Sequence, residues 1–117
     1  QVFSEWEYDY ERLVQLAHSA DGDTGSRTNI GFVNTTGGEI VVTVELFGGD
    51  GELLGDLSVR LPPFAYEQSN DVFRDVTGAD HPDAFALVRS DTPGAGCLCY
   101  ASVVDNRSGD PVYIPGR

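Results

Sequence analysis

A chain of 117 residues with 40% hydrophobic content is long enough for one packed domain and too apolar for a disordered one. Its net charge of −12, from 19 acidic residues against seven basic ones, all arginine, argues against an electrostatic grip on nucleic acid or anionic lipid. No apolar run nears the ~20 residues that a membrane helix requires, so no membrane insertion is expected.

An acidic surface without lysine suits a salty medium, and it equally suits a GC-rich gene in which arginine codons are favoured. Position 1 is Gln and methionine is absent. That is the expectation for a chain processed after removal of a signal peptide, or for a piece cut from a longer protein. The expected location is secreted, extracellular or at the cell surface.

The first patterned run covers residues 2–10. Trp6, Tyr8 and Tyr10 fall on one face of an extended strand, and Glu5, Glu7 and Asp9 fall on the other. The phase slips near Arg12, and Leu13, Val14, Leu16 and Ala17 form a second, shorter apolar stretch. A turn-rich loop follows at 19–26. Residues 28–34 read as a strand and 34–38 as a turn. Residues 39–47 alternate cleanly, with Ile40, Val42, Val44 and Leu46 on one side. Asp50-Gly51 then closes a hairpin onto residues 53–61.

Pro62-Pro63 ends that strand. Residues 65–68 suggest a short strand, and 70–76 suggest one helical turn capped by Ser69 or Asn70. Residues 84–89, 96–105 and 112–114 complete the set. About eight or nine short strands, separated by Gly, Pro, Asn and Asp, predict an all-β sandwich with mostly antiparallel strands.

The residues Ala17-His18 before a glycine-containing loop, Arg27-Thr28-Asn29-Ile30-Gly31-Phe32-Val33-Asn34, and the ending Tyr100-Ala101-Ser102-Val103-Val104-Asp105-Asn106-Arg107-Ser108-Gly109-Asp110-Pro111 resemble an Ig-like β-sandwich module of secreted bacterial surface or matrix proteins, often found in tandem copies. The likeness spans about residues 16–114 and implies a cell-surface or matrix role. It divides the chain into an N-terminal extension strand or arm, 1–11, and a sandwich domain, 12–117.

The arm carries the main functional expectation. A face bearing Val2, Trp6, Tyr8 and Tyr10 needs a groove to cover it, and an open sandwich has unpaired edges. If the arm adds as a donor strand to a neighbouring copy, subunits link head to tail into a homopolymer, as a filament or surface layer. The alternative is that residues 2–10 are simply the domain's own first strand.

Cys97 and Cys99 share one face of a strand, roughly 6.6 Å apart at the rise of an extended chain, so a disulfide between them is strained. They read as buried apolar thiols, as intermolecular disulfide partners, or as part of a metal site with His18 or His81. Asp21-x-Asp23-x-Gly25 imitates the start of a calcium loop, yet Phe32 stands where the closing Glu belongs. A looser Ca²⁺ site using Asp50, Asp71, Asp75, Asp80 or Asp83 is open beside the plainer reading of turn residues. Two glycosylation sequons, at Asn34 and Asn106, fall in predicted turns.

No nucleophile–histidine setting and no phosphate loop stand out, so no enzyme activity and no obligate cofactor are expected. The leading expectation is a structural subunit of an extracellular assembly. The alternative is a secreted accessory module that binds Ca²⁺ or carbohydrate (glycans) through its end loops.

Overall fold

The computed structural model describes residues 10–90 and 97–116. Eight strands run through them: β1 (Tyr10–His18), β2 (Ser26–Asn34), β3 (Ile40–Gly48), β4 (Leu53–Leu61), β5 (Tyr66–Ser69), β6 (His81–Ser90), β7 (Cys97–Asp105) and β8 (Pro111–Pro115). They form two four-stranded sheets, ordered β1-β6-β3-β4 and β5-β2-β7-β8. Every pairing is antiparallel. The all-β sandwich expected from the strand pattern is therefore the architecture.

The period-2 patterns set the two inner faces. On β3, Ile40, Val42, Val44 and Leu46 point inward and are buried, as the alternation predicts. They share sheet and face with the small residues Ala84 and Ala86 and with Val88 of β6. From the other sheet β2 contributes Ile30 and Phe32, and β7 contributes Cys99 and Ala101. The turn after β3 has Gly51 at φ +88°, a left-handed conformation that glycine adopts without steric cost.

The phase slip in the first apolar stretch is a bulge. Leu13 and Leu16 are three residues apart, yet both are fully buried. A flat strand would send one of them to solvent. Gln15 takes φ +59°, and the register against β6 shifts between Leu13, opposite Ala86, and Leu16, opposite Ala84. β1 begins with Tyr10 opposite Arg89 and Glu11 opposite Val88. Residues 10 and 11 thus belong to the sheet, two residues before the expected domain boundary. The other proposed anchors, Val2, Trp6 and Tyr8, lie outside the described residues.

Residues 71–76 form a run of turns, not the expected helical turn. Val72 and Phe73 are consecutive and both buried, which a single amphipathic turn does not require. The segment is fixed from outside: Val72 N–H donates to the Thr28 carbonyl (2.9 Å), and Asp71 N–H donates to Asn29 Oδ1 (2.9 Å).

Asn34 is a structural residue. It is 0% exposed, and its Nδ2 donates to the carbonyls of Gly38 (2.8 Å), Leu61 (3.2 Å) and Pro62 (3.0 Å). Its Oδ1 accepts from Thr36 N–H and from the Thr36 hydroxyl. The expectation of an accessible sequon at Asn34 is corrected by this burial, since no part of the amide faces solvent in the folded domain. Asn34→Ala removes the shared donor of three carbonyls and should cost about 2–4 kcal/mol in urea unfolding. Thr35→Ala, at an exposed neighbour, should change stability by less than about 0.5 kcal/mol.

Candidate functional site

The strand alternation of β2 places Ile30 and Phe32 inside and turns Asn29, Gly31 and Val33 outward. On the outer face of this sheet, Gly31 lies between Gln68 of β5 and Tyr100 of β7, and Val33 lies between Tyr66 and Leu98. Ser102 of β7 stands opposite Tyr113 of β8. Three tyrosines from three strands therefore occupy one face. Tyr66 and Tyr113 are 54% and 68% exposed, and Leu98 beside them is 60% exposed.

Gly31 is what lets this face form. A Cβ at residue 31 would collide with the Tyr100 ring, so the ring lies across the neighbouring strand only because the side chain there is a hydrogen. The Tyr100 and Tyr113 rings are 5.8 Å apart at 48°. The hydroxyls of Tyr66 and Tyr100 are 2.6 Å apart, and both reach Gln68 Oε1, at 2.9 and 2.8 Å. Gln68 Nε2 in turn donates to Asn70 Oδ1 (2.7 Å), which fixes the direction of the amide. Two phenolic protons serve three short contacts, so the cluster is one donor short.

Tyr100 is also a weaker acid than a free tyrosine. The hydrogen bond to Tyr66, then burial, push its pKa up to about 12. All of the named groups on this face are uncharged, which sets it apart on a chain of net charge −12.

The two cysteines sit on the inward face of β7, at the end of the sandwich far from the histidines. Both are free thiols, with Cys99 buried and Cys97 partly so. Burial, and then the nearby Glu11 carboxylate, raise Cys97 to about 11, and the same two causes raise Cys99 further. Glu11 Oε1 accepts from both the Cys99 N–H (3.1 Å) and its thiol (3.3 Å). Neutral, covered thiols of this kind are poor nucleophiles for disulfide exchange. His18 and His81 pair across β1 and β6 at the opposite end, so no Cys–His cluster forms.

Several aspartates hold turns and loops. Asp21 accepts from Asp23 N–H and the Thr24 hydroxyl. Asp50 accepts from Glu52 N–H, and Asp80 accepts from Ala20 N–H. Asp105 accepts from Arg107 N–H and Ser108 N–H, and these bonds hold its carboxyl below the usual range. Among the described residues no three His, Cys, Asp or Glu side chains gather into a group that could hold a metal ion. Asn106 is half-buried and tied on both sides. Its Oδ1 accepts from Arg27 (2.9 Å), and its Nδ2 donates to the Thr24 carbonyl (2.9 Å).

No protein-family model matches the sequence, and no curated protein matches it. The crystal structure of Thermotoga maritima 1070 is similar in fold, with a TM-score of 0.64 over 91% of this chain and 90% of that one. The two are 11% identical, so the likeness concerns the fold alone.

The tyrosine face had no local signal in the sequence. Its members are spread over positions 66–113 and meet only through strand pairing, and Gly31 reads in isolation as a weak strand residue. The acidity of Tyr100 gives a direct check. Its folded pKa lies above the ~10 of an unperturbed tyrosine, so the folded state holds this proton more tightly than the unfolded chain does. The resulting stability is fully present below pH ~10 and is lost as pH rises through about 12. Ultraviolet titration of phenolate should show one tyrosine ionising late, and Tyr66→Phe should return it toward the ordinary value.

Proposed function

We propose that this chain is an extracellular, non-enzymatic sandwich module that binds carbohydrate on the outer face of the β5-β2-β7-β8 sheet. The observation that carries this reading is the uncharged row of three tyrosines, of which Tyr66 and Tyr100 join their hydroxyls with Gln68 and Asn70 in one network and Tyr113 packs its ring beside Tyr100. Aromatic rings offer flat apolar area with a polar tip, which matches a sugar ring with its apolar C–H face and rim of hydroxyls. A ligand hydroxyl can donate to the outward lone pairs of the two phenolic oxygens. Charge favours the same ligand class, because a neutral glycan meets no repulsion from a strongly acidic protein, unlike a nucleic acid. The absence of a gathered carboxylate cluster among the described residues makes carbohydrate the better choice than Ca²⁺.

Binding to a panel of soluble and insoluble polysaccharides, by affinity electrophoresis and pull-down, tests the proposal. At least one neutral polysaccharide should retard the protein. Tyr66→Ala and Tyr113→Ala, both at exposed rings, should each weaken binding about tenfold, the equivalent of about 1.4 kcal/mol, without unfolding the domain. Failure of the whole panel, or equal binding by both variants, would contradict the reading.

A second reading is favoured by the open side of the sandwich. There a groove of about 330 Å³ runs between β1 and β8, lined by Val14, Val103, Val112 and Ile114 among others. Val14 and Val112 are 40% and 64% exposed, and β1 and β8 are both sheet edges. The segment that leads into β1 carries Val2, Trp6 and Tyr8, the large side chains that such a groove accepts. On this reading the chain is a structural subunit of a filament or surface layer, joined to copies of itself by N-terminal strand donation. The intact chain should then form polymers by light scattering, and a chain lacking residues 1–9 should be a monomer. Equal size distributions would remove this reading.

A further inference from the structure

The end of the sandwich opposite the cysteines holds a polar cavity of about 530 Å³. His18, Arg27, Asp71 and Asn106 stand in its wall and already meet in pairs, His18 with Asp71 and Arg27 with Asn106. Two apolar features elsewhere are left open to solvent. One is the groove of about 330 Å³ between β1 and β8, where Val14 and Val112 are exposed and every lining residue is uncharged. The other is Phe64, in the connection from β4 to β5. At 71% it is the most exposed of the large hydrophobic side chains among the described residues.

Phe64 is held out by its backbone. Ala65 N–H donates to the Pro62 carbonyl (3.1 Å), which closes a turn with Pro63 and Phe64 at its centre. Phe64 takes φ +56° there. A left-handed residue at this place in a turn is ordinarily glycine or asparagine, and a residue with a bulky side chain is strained in it. Bonds to the rest of the domain impose the conformation. Phe64 N–H donates to the Thr36 carbonyl (3.1 Å), Asn34 N–H donates to the Ala65 carbonyl (2.9 Å), and Asn34 Nδ2 donates to the Pro62 carbonyl (3.0 Å). An aromatic ring that is strained at its backbone and gains little burial within its own domain points to a contact outside it.

We propose that Phe64 of one copy enters the β1–β8 groove of the next and joins the subunits head to tail. The groove is large enough, since a dry cavity of about 150 Å³ already accepts benzene. Val14, Val103, Val112 and Ile114 in its walls meet a phenyl ring by dispersion and by burial of apolar area. The ring cannot reach the groove of its own subunit. Phe64 leads into β5, at one edge of its sheet, and the groove flanks β8, at the other edge, about 14 Å away across three interstrand spacings. A knob and a socket on different surfaces of one molecule make a heterologous contact, which extends as a row of copies. Charge favours the same pairing. Copies of net charge −12 repel one another, so association is confined to surfaces free of acidic groups, as the groove lining and Pro62-Pro63-Phe64 are. A single ring in a small groove lies at the low end of specific interfaces, so the assembly forms at high protein concentration. This contact rests neither on carbohydrate binding nor on strand donation.

Sedimentation velocity of the full chain over a concentration series up to about 1 mM tests the proposal. About 0.5 M NaCl screens the repulsion between the acidic copies. The parent should sediment as larger species whose share grows with concentration. Phe64→Asn retains a residue tolerant of left-handed φ, so it should melt no lower than the parent while associating about tenfold more weakly. Val112→Asp, at the exposed rim of the groove, should weaken association to a similar degree by placing a charge in the socket. The first variant keeps the socket and the second keeps the knob, so an equimolar mixture should form dimers and nothing longer. A parent that stays monomeric throughout the series overturns the proposal. So does association of Phe64→Asn at parental strength, the result expected if residues 1–9 of a neighbour fill the groove instead. A mixture of the two variants that remains monomeric where the parent associates overturns it as well.

Discussion

The register of β2 is the constraint on which the rest of the molecule depends. Its even-numbered residues from Thr28 to Asn34 go into the core and its odd-numbered ones go out. Inward, Ile30 and Phe32 fill the space between the sheets, and Asn34 gathers three carbonyls of the opposite sheet's connections. Thr28 crosses to the other sheet, donating its hydroxyl to the Ala17 carbonyl (2.7 Å) beside His18. Outward, Gly31 makes room for Tyr100, Asn29 holds the Asp71 backbone, and Arg27 lines the end cavity. A slip of one residue would send every one of these groups to the wrong face.

The outer tyrosine face and the end cavity differ in how their polar groups are paired. The tyrosine face is open, and its Tyr66, Tyr100, Gln68 and Asn70 side chains are paired to one another. At the end cavity, His18 Nδ1 and Asp71 Oδ1 are buried and face each other at 3.6 Å.

How much of this was legible in the sequence depends on how local the cause is. Strands β3 and β4 and their turn were readable because strict alternation and Asp50-Gly51 are both local signals. The bulge in β1 was visible as a lost phase, but its place at Gln15 was set by the need to bury Leu13 and Leu16 together. The segment at 70–76 reads as helical because its turns are local, with Arg74 N–H on the Asp71 carbonyl and Thr77 N–H on the Phe73 carbonyl, while its place is set by the bonds of Asp71 and Val72 to β2, more than forty residues away. Asn34 looked like a surface sequon because its partners at Leu61 and Pro62 are distant in the chain. His18, Arg27 and Asn106, separated in the chain, meet at the end cavity. Nothing in their spacing shows that they meet, nor that Asp71 joins them.

Gly31→Ala tests the central dependence most directly. A methyl group at this position meets the Tyr100 ring and must displace it, which breaks the contacts among Tyr66, Tyr100 and Gln68 while the core residues of β2 keep their places. The variant should retain the far-ultraviolet circular dichroism of the parent and lose binding to the polysaccharide that the parent recognises. If Gly31→Ala is folded and still binds with parental affinity, the outer face of β2 does not organise a carbohydrate site.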